Sequence, residues 1–163
     1  TPLYSSAASD VYKRQGYCYP HGGHRDQLAY DFEMPVGTPV IAARAGVVMK
    51  VRADLPDDGK TPQSGQHNHI MIRHEDGTVA FYAHLKQNSL YVDVGDRVSQ
   101  GQVIAHSGNS GNTQGMPHLH FGVYETWSAM EGFDVPVNFR NAEGTLDPRG
   151  GLRPGGYFKG LPY

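Results

Sequence analysis

Residues 69–85 read HIMIRHEDGTVAFYAHL. Ile70 and Ile72 flank Met71, and Phe81 and Ala83 alternate with Tyr82 and His84, on either side of Glu75-Asp76-Gly77. A period of two marks a strand, and Asp-Gly is among the strongest short signals for a tight turn between two of them. The stretch therefore predicts an antiparallel hairpin. Outward from it the pattern repeats: PVIAA and GVVMKV precede it, VSQGQVIAHSG and HLHFGVYE follow, and Gly, Asp and Asn separate the runs. No segment keeps a helical period, so the predicted class is mostly β, antiparallel, with little helix. The polar stretch 54–66 reads as a surface loop overhanging a groove, and the Gly- and Pro-rich stretch 138–163 as irregular surface coil.

A chain of 163 residues is the size of one ordinary domain. Its 14 basic and 16 acidic side chains give a formal net charge of −2, and the Lys and Arg residues are scattered singly. No basic stripe interleaved with aromatics is present, so nucleic acid is not an expected partner. Cys18 is the only cysteine, which rules out an internal disulfide and suggests a bland or free thiol. No apolar run approaches the roughly 20 residues of a membrane helix. The first fifteen residues, TPLYSSAASDVYKRQ, resemble translated sequencing adapter and are set aside. On that reading the domain is 16–163, and any export signal or preceding domain is missing from the sequence.

Nine histidines stand out in so short a chain. In a strand, side chains at i and i+2 leave the same face about 6.5–7 Å apart. His118 and His120 therefore look out of one side while Leu119 and Phe121 enter the other. One can bind a metal while its neighbour faces the attacking water. Catalytic zinc usually takes three His, Asp or Glu ligands and keeps a fourth position open. The helical H-E-x-x-H motif is absent, so a zinc site here would be assembled from separate strands. His120 would supply one ligand. The others would come from HGGHRDQLAYDFEMPVGTPV, where His24 precedes Asp31 by seven residues. His67, His69, His74 and His106, each read singly, are expected to be structural.

The runs YDFEMPVGTPVIAARAGVV (30–48), FYAHL (81–85), VGDRVSQGQVIAHSGNSGN (94–112) and HLHF (118–121) resemble the lysostaphin-type (LytM-like) zinc metallopeptidases, in the same order, over about residues 21–125. The resemblance implies a two-layer antiparallel β-sandwich of the duplicated hybrid motif type. It also implies one zinc at the floor of a groove and cleavage of peptide bonds in bacterial cell-wall peptidoglycan. It places the metal ligands on His24, Asp31 and His120, and the catalytic groups on His84 and His118. The family's commonest first motif sets its histidine four residues before the aspartate, where this chain has Gln27. A longer spacing points to His24, with His21 as competitor. In the implied mechanism His118 is the general base and His84 donates a hydrogen bond to the oxyanion. Gly108–Thr113 is expected to form a small, flexible groove wall. A monomer located in the periplasm, in the cell envelope or outside the cell follows from the implied substrate.

Two other classes compete. The hairpin around Val94-Gly95-Asp96 and Gly101-Gln102 also looks like that of biotinyl and lipoyl carrier domains, but the turn lacks their modified Lys. A catalytically degenerate homologue that binds cell wall or activates an enzyme is the other, and the presence of Asp31, His84, His118 and His120 argues against it. GNSGNTQG fits neither the G-x-S-x-G nucleophile elbow nor a dinucleotide loop.

Overall fold

The computed structural model describes residues 2–3, 11–15, 28–60, 66–126, 135–139, 142–143, 152 and 156–160. The described residues carry no α-helix, and none of their segments is a helix long and apolar enough to cross a membrane. The strands in chain order are β1 (Pro2–Leu3), β2 (Val11–Gln15), β3 (Tyr30–Glu33), β4 (Pro39–Ile41), β5 (Gly46–Arg52), β6 (His69–Arg73) and β7 (Val79–Ala83). After them come β8 (Arg97–Val98), β9 (Val103–His106), β10 (His118–Tyr124), β11 (Asn138–Phe139), β12 (Ala142–Glu143) and β13 (Gly156–Gly160). Among the described residues they form a nine-stranded sheet in the order β12-β13-β2-β3-β10-β7-β6-β5-β8, and two-stranded β4-β9 and β1-β11 pairs.

The hairpin forms as its turn chemistry dictates. β6 and β7 pair antiparallel from His69↔Ala83 to Arg73↔Val79. Gly77 takes φ 86°, a left-handed conformation that side chains disfavour. Asp76 accepts hydrogen bonds from the backbone N–H and hydroxyl of Thr78, which closes the turn.

Alternation then sorts the two faces. Tyr30 and Phe32 of β3, Leu119, Phe121 and Val123 of β10, Ala80 and Tyr82 of β7, and Ile70 and Ile72 of β6 belong to one buried cluster with Val40, Ile104 and Ala105 of the β4-β9 pair. This is the contact between the two layers. Tyr82 ties them further, its hydroxyl oxygen accepting the N–H of Ala43 at 2.9 Å. On the opposite face lies a smaller cluster of Met71, Val79, Phe81, Ala83 and Tyr124. Asp31, His118 and His120 have the same strand parity as these residues and share their face.

Within 138–163, expected to be irregular, β11, β12 and β13 are regular, and Phe139, Leu152 and Phe158 join the main core. Strands of two to five residues among glycines and prolines are too short to show a period. β2 falls in the segment set aside above and pairs with β3. An open sheet edge accepts any extended chain through main-chain groups, whatever its sequence.

Candidate metal and catalytic site

β10 is the strand that gathers the site, because it is paired on both sides. Its His120 stands opposite Asp31 of β3 and opposite Ala83 of β7. Asp31 and His120, 89 residues apart in sequence, meet with His120 Nδ1 3.1 Å from Asp31 Oδ1. Both are buried, at 3% and 6% exposure. His118, two residues earlier on the same face, places Nε2 3.7 Å from the same carboxylate oxygen. His84 stands just past the end of β7 at φ 61°, an uncommon backbone for a non-glycine residue. Its ring lies 4.6 Å from that of His118 and 6.2 Å from that of His120.

Carbonyl partners fix the tautomers, since a carbonyl can only accept. His118 donates its Nδ1 proton to the Met116 carbonyl at 2.8 Å, and His84 donates its own to the Ser110 carbonyl at 2.7 Å. In each neutral ring Nε2 then carries no proton and can accept one. For His118 that is the form a general base requires. Burial, followed by the proximity of His118 and His120, pushes the His84 pKa well below its usual value. Neutral His84 therefore offers an acceptor at Nε2, and it can give a hydrogen bond from that atom only after taking up a proton.

The segment 108–113 is held rather than loose. The Asp57 carboxylate accepts the backbone N–H of Asn109 and that of Gln87, both at 3.0 Å, and so ties this segment to the stretch that follows His84. Ser110 is fully buried; its hydroxyl donates to Leu85 O and accepts from Asn68 N. Asn68, also fully buried, uses its side chain on the N–H and carbonyl of Leu55 and on the carbonyl of Leu85. Small residues here serve tight packing, since a Cβ at Gly108 would strike Lys86 N and Asp57 Oδ1. The loop 54–60 does border the site, and the Gly59 N–H donates to the Asn109 carbonyl.

His24, His21, Gln27 and Cys18 lie outside the described residues. Among the described residues no set of three or more His, Cys, Asp or Glu is arranged to hold a metal ion. Asp31 and His120 nevertheless fit zinc as a pair. Nitrogen and oxygen ligands bound to zinc at about 2.0–2.2 Å stand about 3–3.5 Å from one another. The 3.1 Å between Oδ1 and Nδ1 is a separation that one ion spans without rearrangement.

Two histidines read as structural stand beside the site. The His67 ring is 5.3 Å from His84 and 5.5 Å from His69, and Phe81 touches both His67 and His69 as well as His120. Burial, together with the neighbouring His69 and His120, lowers the His67 pKa to about 3. His74 and His106 are placed as expected: His74 donates to the Thr78 hydroxyl, and His106 lies against Tyr91.

The model of Peptidase family M23 matches residues 25–132. An uncharacterised metalloprotease of Buchnera aphidicola is 36% identical over 108 residues, 66% of this chain and 23% of that protein. The peptidoglycan DD-endopeptidase ShyA of Vibrio cholerae is 38% identical over 102 residues, 63% of this chain and 20% of its own length. The chain thus spans about a fifth of the length of these two relatives. Among solved structures, the catalytic domain of lysostaphin from Staphylococcus simulans superposes with TM-score 0.59 at 30% identity, covering 76% of this chain and 88% of that one. The antiparallel two-layer fold is therefore the lysostaphin-type fold, and the chain belongs to peptidase family M23.

Proposed function

We propose that this domain is a zinc-dependent endopeptidase that hydrolyses peptide bonds in bacterial cell-wall peptidoglycan. The observation that carries the reading is the meeting of Asp31 Oδ1 with His120 Nδ1 at 3.1 Å, with His118 Nε2 facing the same carboxylate. Asp31 and His120 would hold one zinc per chain together with an early histidine, His24 ahead of His21. Zinc, when bound, supplies Lewis-acid polarisation of the scissile carbonyl and makes water at the site more acidic.

The chain's own residues do the rest. His118 takes a proton from the attacking water at Nε2 and returns it to the leaving amine, while the Met116 carbonyl keeps its Nδ1 protonated throughout. His84 orients that water by accepting a hydrogen bond from its second O–H at Nε2, its ring held by the Ser110 carbonyl. The site acts as a monomer and outside the cytoplasm, where its substrate is. The relatives named as peptidoglycan endopeptidases support the substrate class.

Metal analysis and digestion of sacculi test the reading together. The purified domain should hold about one equivalent of zinc, His120→Ala should lose it, and His118→Ala should keep it while releasing no peptide. Zinc-loaded protein that binds cell wall but frees no new amino groups would point instead to a degenerate binding homologue.

A further inference from the structure

The register of the sheet places one more polar group in line with the site. Across four neighbouring strands runs the row Asp31, His120, Ala83, His69, each opposite the next and on the same face. Adjacent strands lie about 4.8 Å apart, so His69 stands about 10 Å from His120. Only the methyl of Ala83 intervenes in the row, and Phe81 lines its side, touching both His69 and His120. His69 is 6% exposed, the same as His118 and His120, so it shares the setting of the reaction centre.

Its ring is fixed as those of His84 and His118 are. His69 donates its Nδ1 proton to the His67 carbonyl at 3.0 Å, which leaves Nε2 a bare lone pair. Nε2 is buried and has no hydrogen-bond partner among the described residues. Buried polar atoms are nearly always paired, so each unpaired one calls for an explanation. His74 Nε2 shares this state, but His69 alone of the two stands in the row that leads to His120, where a ligand can supply the donor. An extended peptide advances about 3.3 Å per residue, so 10 Å corresponds to about three residues.

We propose that Nε2 of His69 is a substrate-binding acceptor that takes an N–H of the peptide, about three residues from the bond that is cut. The peptide then runs across the strands from the Asp31–His120 centre, past Ala83 and over Phe81, and His67 closes the side next to His84. The inference rests on the endopeptidase reading and adds to it a subsite for an amide or amino donor.

The test uses His69→Phe, which keeps a planar ring and removes the acceptor, and His69→Gln, whose amide oxygen can replace it. Substrates are cross-linked muropeptide dimers and a series shortened to two residues on either side of the cleaved bond. On full dimers His69→Phe should raise KM about tenfold with kcat within twofold, as expected for one lost hydrogen bond. His69→Gln should recover most of the loss, and the shortened series should not distinguish the three proteins on the side that no longer reaches His69. An unchanged KM on full dimers, or the same rise on every shortened substrate, overturns the proposal. Affinity for uncut dimers, measured by calorimetry in His118→Ala with and without His69→Phe, should weaken about tenfold; equal affinities overturn it too. Zinc content and wild-type cleavage are recorded alongside, so a failure of the endopeptidase reading shows in the wild type, apart from any effect of His69.

Discussion

Asn68→Ala removes a buried amide that makes three hydrogen bonds to the backbone: it accepts from Leu55 N–H and donates to the carbonyls of Leu55 and Leu85. A buried hydrogen bond contributes about 1 kcal/mol net, and a group left unpaired costs about 1–3 kcal/mol. The Leu85 carbonyl keeps the Ser110 hydroxyl as donor, and Leu55 is near enough to the surface for water to reach it. The loss should therefore be about 2–3 kcal/mol rather than a larger sum. For a domain of this size that lowers Tm by about 5–10 °C. Asn68→Asp should lose at least as much, because a carboxylate would face two carbonyl oxygens with nothing to donate. Calorimetric or circular-dichroism melts of the three metal-loaded proteins measure this. Because the amide also holds the carbonyl of Leu85, the residue after His84, kcat should fall with zinc content unchanged. A melt within about 2 °C of wild type for both variants would refute the claim that this amide knits the loops around His84.

Three further outcomes are expected. Asp57→Ala frees the Asn109 and Gln87 N–H groups and should lower kcat about tenfold without loss of zinc, and Asp57→Asn, which keeps one acceptor, should lower it less. Burial lowers the His74 pKa to about 4 from an unfolded value of 6.5, so the unfolded chain binds its proton first. The stability this His gives is complete above pH 6.5 and falls away towards pH 4, by up to about 3 kcal/mol; His74→Leu should flatten that part of a urea-denaturation pH series. Gly46→Ala should destabilise the fold by about 2 kcal/mol, since its Cβ would stand 2.5 Å from the Arg73 carbonyl oxygen and 2.6 Å from Ile72. An unfolding midpoint equal to wild type would show that β5 and β6 can part without cost.

The hairpin at residues 69–85, the alternation of β10 and the antiparallel β class were legible in the sequence, because period two and Asp-Gly turns are local signals; the two-layer arrangement was legible only through the motif resemblance. The convergence of Asp31 on His120 was legible through motif resemblance, not through spacing, since strand order along a sheet is not written in any one segment. Read one at a time, His67 and His69 look structural. Counting outward from the Asp76-Gly77 turn sets His69 opposite Ala83, next to His84, which is the register the hairpin takes. The short strands after residue 138 depend on pairing with strands at the other end of the chain, and the anchoring of 108–113 on a distant loop; a Gly-, Asn- and Ser-rich string carries no trace of either.

β10 presents His118 and His120 to one side while Leu119 and Phe121, both fully buried, fill the centre of the molecule from the other. A single ribbon seven residues long is thus shared by the chemistry and by the apolar interior. Loosening one side must loosen the other, so thermal inactivation and the collapse of tertiary packing should coincide. The amide protons of this ribbon should be among the last to exchange with solvent deuterium.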